Sequence, residues 1–113
     1  MVQLLVRMVA VPGGVPELLH ALRFVMRSAE QSRGCSFAQI YQRASNERGI
    51  AYIEEWDDPE ELREQFSSER FHSLLELLET AAERPDVEFR VVSAIHGLEY
   101  IADAGSVTLP EVR

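Results

Sequence analysis

The chain is short of cysteine, of basic charge and of long apolar runs, and each shortage removes a class of function. Cys35 is the single cysteine. An internal disulfide and a cysteine-based zinc site are therefore excluded, and a cytoplasmic, reducing location is expected. Eleven Lys and Arg stand against nineteen Asp and Glu, a formal net charge of −8. Nucleic acid and anionic membrane surfaces both need a basic face, so neither is an expected partner. No apolar run approaches the ~20 residues that a membrane-spanning helix needs. The opening MVQLLVRMVAVPGG is apolar but lacks a basic lead and carries Arg7, so it reads as a strand rather than a signal peptide. Repeats and low-complexity tracts are absent. The acidic stretches lack the ordered His and carboxylate spacing of a metal site, so neither a metal nor a cofactor is expected.

What is present is ordinary globular material: 113 residues, 46% hydrophobic and 27% charged. That suits one domain with a modest core, a size that often gains stability by pairing. The expected domain covers residues 1–102, with 103–113 as a C-terminal tail.

Residues 2–11 hold only Gln3 and Arg7 as strongly polar positions, which predicts a strand buried on most of both faces. The segment PGG ends it, and Pro16 suits the first turn of a helix. Leu18, Leu19, Leu22, Val25, Met26 and Ala29 then recur at helical spacing up to about Gln31, before Arg33 and Gly34. CSFAQIYQR alternates, with Phe37, Gln39, Tyr41 and Arg43 on one face and Ala38, Ile40 and Gln42 on the other. Asn46 and Gly49 supply a turn, and Ile50 to Trp56 returns as the second arm of a hairpin.

Asp58 is a suitable N-cap for a short helix, with Pro59 first inside and Glu61 completing a capping-box pattern. Leu62 and Phe66 give it an apolar stripe. A further helix is predicted over 69–83, with Phe71, Leu74, Leu75, Leu77 and Leu78 inward, and a last long strand runs from Val87 towards Ile101. The order β-α-β-β-α-β is the ferredoxin-like α+β arrangement, an antiparallel sheet with helices on one side. The other face, expected to hold Leu5, Val9, Ile40, Ile53, Val92 and Ala94, is too apolar to leave bare, which predicts a homodimer made sheet against sheet.

The lone tryptophan, Trp56, closes a strand where a helix begins. Core filling and the wall of a ligand pocket both explain it. A corner position and an indole N–H in need of a partner favour the wall. Strand period puts Tyr52, Glu54 and Trp56 on one face, with Tyr41 and Arg43 expected close by on the neighbouring strand. If that face looks toward the helices, these residues line a cavity in which a tyrosine beside an arginine could form or hold a phenolate. The bland reading is a cross-strand Glu–Arg pair with snorkelling aromatics. His72 is either a surface histidine or a site residue.

RGCSFAQIYQR and IAYIEEWDDPEELREQFSSERF together resemble the antibiotic biosynthesis monooxygenase domain. Gly34, Cys35, Trp56, Leu62, Ser68 and Phe71 stand where the family pattern has its residues, and the likeness spans about residues 2–96. The resemblance implies a dimeric α/β barrel. It also implies a cofactor-independent monooxygenase acting on a small aromatic quinol or phenol with molecular oxygen. The alternative is a non-catalytic ligand-binding or stress-associated member. Trp56, Tyr52, Tyr41 and Arg43 are the candidate catalytic residues. Trp56, Gln65, Phe66, Phe71 and His72 are the candidate substrate contacts. Two family histidine positions hold Gln65, nine residues after Trp56, and Arg70. Leu75 and Val6 stand at the His and Asn positions of haem-degrading members, so haem degradation is not implied.

Overall fold

The computed structural model describes residues 1–103, 105, 108 and 109. The predicted 103–113 tail lies almost wholly outside these residues. Four strands form one antiparallel sheet of order β2-β3-β1-β4: β1 (Val2–Val9), β2 (Cys35–Arg43), β3 (Asn46–Trp56) and β4 (Asp86–Val91). Helices α1 (Val15–Glu30), α2 (Pro59–Gln65) and α3 (Glu69–Glu79) cover one face, and α4 (Glu99–Asp103) follows the last strand. This is the ferredoxin-like α+β fold. Within one chain the sheet does not close, since β2 and β4 are its two edges.

The alternation of β1 decides the layers. Val2, Leu4, Val6 and Met8 face the helices and belong to the core, together with Leu18, Leu22 and Val25 of α1 and Leu62, Phe71 and Leu74 of α2 and α3. On the other face Leu5 is paired with Ile53 and Gln3 with Glu55. Arg7 pairs with Glu88 across this open face at 3.6 Å. Ile40 differs from expectation. It pairs with Tyr52 and packs on the helix-side core, because its parity is that of Ala38. Val92 and Ala94 lie beyond the strands.

Several boundaries also differ. β3 begins at Asn46, not Ile50. Arg43 already pairs with Asn46, and an irregularity absorbs the residues before Gln42 pairs with Ile50. Asn46 still acts as a turn residue, since its Oδ1 accepts the Arg48 N–H at 3.1 Å. α3 stops at Glu79 because Thr80 turns its hydroxyl back to the Leu77 carbonyl at 2.7 Å. β4 stops at Val91, and a short helix replaces the predicted continuation to Ile101. Leu75 is 47% exposed rather than inward.

At the corner after Trp56, Asp58 caps α2 by accepting the Glu60 N–H at 2.9 Å. Glu61 reaches outward instead of completing the box, and its carboxylate lies over Gly34. A Cβ on Gly34 would sit 1.4 Å from Glu61 Oε2, and the backbone there has φ +89°. Only glycine meets both demands. Among the described residues no helix is long and apolar enough to cross a membrane.

Candidate functional site

Three successive helix-facing positions of β3 carry a tyrosine, a glutamate and a tryptophan. Tyr52, Glu54 and Trp56 have no exposed surface. Burying a carboxylate demands compensation, and Glu54 receives three donors. The Tyr52 hydroxyl donates to Oε2 at 2.5 Å and the Trp56 indole N–H donates to Oε1 at 2.9 Å. Arg70 Nη1 donates to Oε2 at 2.5 Å from α3. Arg70 Nη2 reaches Gln65 Oε1 at 3.2 Å. The guanidinium also lies 5.8 Å from the ring centres of both Trp56 and Phe71, within cation–π range. One carboxylate on the sheet thus ties together a strand and the junction of two helices.

The electrostatics of this cluster redirect the expected chemistry. Burial pushes the Tyr52 phenol far above its ordinary value of 10.0, and the negative charge of Glu54 and the hydrogen bond to it act in the same direction. Tyr52 is therefore held as a donor. The arginine beside it satisfies Glu54 and not the tyrosine, so the pairing that would favour a phenolate on Tyr52 does not arise.

Above the β1–β4 half of the sheet lies a cavity of about 450 Å³. Leu4, Val6, Val87 and Phe89 form its floor, and α3 and the α2–α3 link wall it with Phe66, Phe71, Leu74, Leu75 and Leu78. All nine are apolar. Phe66 bridges the mouth, 4.9 Å from Phe71 and 5.7 Å from Phe89 between ring centres. Phe71 joins the two features, since one surface meets Arg70 and another faces the cavity.

The candidate residues fall into separate places. Trp56 is enclosed and does not line the apolar cavity where a pocket wall was expected, and its N–H is turned inward to Glu54. Tyr52 is brought to Trp56 as expected. Tyr41 is not. It pairs with Ala51, on the open face, and is 48% exposed. Arg43 ends β2 at the hairpin and is exposed, far along the strand from Glu54. Gln65 meets Arg70, so the two residues that the resemblance sets at family histidine positions are in contact. Phe66 and Phe71 line the apolar cavity, whereas His72 is exposed. Cys35 is half-buried, and burial raises its thiol above the usual range. Among the described residues no group of three or more His, Cys, Asp or Glu could hold a metal ion.

Arg70 is the site residue that the strand pattern could not supply. Its signal is helical: Arg70, Leu74 and Leu77 share one stripe of α3, and an arginine on an apolar stripe calls for a buried acid.

No protein-family model matches the sequence, and no curated protein matches it. Solved structures do. A candidate antibiotic biosynthesis monooxygenase from Deinococcus radiodurans superposes with a TM-score of 0.78 at 13% identity, over 87% of this chain and 98% of that one. A structure described as an antibiotic biosynthesis monooxygenase gives 0.72 at 16% identity, over 83% of this chain and 100% of that one. Rv0793 from Mycobacterium tuberculosis gives 0.74 at 15% identity, over 85% and 98%. At these identities the likeness is one of fold.

Proposed function

We propose that this chain is a member of the antibiotic biosynthesis monooxygenase group and binds a small aromatic or otherwise apolar molecule in the cavity beneath Phe66. The observation that carries this reading is the cavity itself: about 450 Å³, with nine apolar lining residues, three of them phenylalanines. Such a lining suits a flat hydrophobic ligand held by ring contacts. The neighbouring Arg70–Glu54 cluster fixes the position of Phe71 and so the shape of the wall.

Cofactor-independent oxidation of a quinol or phenol is the second reading. It is favoured by the fold shared with proteins described as monooxygenases. The chemistry asks for an electron-rich substrate anion in an apolar, oxygen-accessible space. The cavity offers the apolar space, and Tyr52 and Glu54 are already engaged with each other, so the substrate would have to enter largely as its own anion.

The homodimer belongs to the same reading. The open sheet face carries Leu5, Ile53, Ala51 and Val9 beside Phe37 and Tyr41, and two such faces stacked would complete a barrel-like layer.

One experiment separates the readings. Oxygen uptake is measured with a panel of quinols and anthrones, and binding of the same compounds is followed by calorimetry. Turnover supports oxygenation. Saturable binding without turnover supports the ligand-binding reading. Val87 is 41% exposed, so Val87→Trp should fill the cavity at little cost to the fold. Unchanged binding in Val87→Trp would remove the cavity from consideration.

A further inference from the structure

A second cavity, of about 390 Å³, lies at the hairpin end of the sheet, at the margin of the open face proposed above to meet a second copy, with Arg7, Val9 and Ala51 common to both, and shares no lining residue with the apolar one. Three elements each send an arginine to it: Arg7 from β1, Arg43 from the end of β2 and Arg84 from the α3–β4 link. Arg7 is partnered by Glu88 at 3.6 Å. Among the described residues Arg43 and Arg84 form no ion pair, although Glu83 and Asp86 border the same space. The lining carries three cations against two acids, with Glu88 just outside it shared between Arg7 and Arg90, in a chain whose net charge is −8.

The position of Arg43 is prepared. Its side chain lies flat across Gly49, where a Cβ would stand 2.6 Å from Arg43 Cδ and 3.1 Å from Cγ. Gly49 is buried beneath it. An arginine stem held against the backbone loses less rotamer freedom when its fork closes on a ligand. Like charges brought to one cavity repel, and a small oxyanion with two charges relieves that repulsion while accepting paired N–H bonds.

We propose that this cavity binds a small dianionic oxyanion of the phosphate class, either free or as the phosphoryl group of a small molecule. Inorganic phosphate and glycerol phosphate are titrated separately into the full chain by calorimetry at matched ionic strength, with chloride as the control. Saturable binding is expected with Kd below about 1 mM, and the tighter of the two anions identifies the source. Arg43→Gln combined with Arg84→Gln should weaken it at least tenfold, while Arg90→Gln, outside the cavity, leaves it unchanged. Gly49→Ala keeps every charge but displaces Arg43, so it too should weaken binding, with circular dichroism checking that the fold is retained. No saturation at high millimolar anion, or equal binding by the double variant, would overturn the proposal.

Discussion

Arg70 Nη1 stands 2.5 Å from Glu54 Oε2, with Arg70 4% exposed and Glu54 not exposed at all. This pair joins the C-terminal end of β3 to the first turn of α3. Tyr52 and Trp56 supply Glu54 with two further donors and Gln65 accepts from Arg70 Nη2, while Arg70 Nε is buried without a partner among the described residues.

Breaking one half of such a pair leaves a buried charge without compensation. Arg70→Met should therefore cost roughly 3–5 kcal/mol, measured as a shift in the urea midpoint at constant slope. Combining it with Glu54→Gln should restore part of that loss, because a neutral amide still accepts from Tyr52 or Trp56. A loss below about 1 kcal/mol for Arg70→Met would mean that the pair is a surface-like contact.

The strand period placed Tyr52, Glu54 and Trp56 together because a two-residue repeat depends only on the chain itself. The hairpin fixed the neighbour, but not the face. Tyr41 and Arg43 have the opposite parity to Ile40, and the cross-strand pairs Tyr41–Ala51 and Ile40–Tyr52 put them on the open face or at the turn. The helical stripe marks Arg70 as inward, but its partner is sixteen residues away on another element, so the pairing itself is a tertiary fact that no local pattern encodes. The end of β4 was likewise illegible. Val91, Ile95 and Ile101 look like a continuing strand, but they are 81%, 74% and 47% exposed, so β propensity there has no packing to reward it.

Trp56 is the residue whose reading changed most. With its indole enclosed and donating to Glu54 Oε1, Trp56→Phe leaves one lone pair of a buried carboxylate unanswered. A cost of about 1–3 kcal/mol is expected, against the under ~1.5 kcal/mol of a shape-conserving swap at a pocket wall. Ligand affinity at the apolar cavity should change little, because Trp56 does not line it. The wild-type protein should show blue-shifted Trp emission that acrylamide quenches poorly. Strong quenching, or a ligand affinity lost without loss of stability, would return Trp56 to the binding site.

Tyr52 sets an alkaline limit. Its folded-state pKa is raised above the ordinary 10.0, so the folded protein keeps a proton that the unfolded chain releases. The stabilisation is fully present below about pH 10 and declines as pH rises above it, since the native state then binds more protons than the unfolded state. In an absorbance titration at 295 nm, roughly the phenolate band, Tyr52 should ionise only on unfolding. In Tyr52→Phe the alkaline loss of stability should be smaller. A Tyr52 contribution to that titration, identified by its loss in Tyr52→Phe, while circular dichroism stays native would refute the assignment.

The open sheet face yields the last prediction. Leu5 and Ile53 are cross-strand partners at its centre, flanked by Ala51 and Val9, while Gln3–Glu55 at 2.9 Å and Arg7–Glu88 at 3.6 Å supply polar borders. An apolar centre with a polar rim is the composition of a protein–protein interface, and a stable one buries about 800 Å² on each partner. Ile53 is only half-buried in the single chain, so Ile53→Arg leaves the helix-side core untouched and adds charge where a second sheet would pack. In a dimer that change places two uncompensated arginines near the symmetry axis, which like-charge repulsion and desolvation both oppose. Sedimentation at micromolar concentration should give twice the 12.8 kDa chain mass for the wild type and a single chain for Ile53→Arg, with the same thermal transition at high dilution. A wild type that sediments as one chain, or an Ile53→Arg variant that remains a dimer, would move the interface off this face.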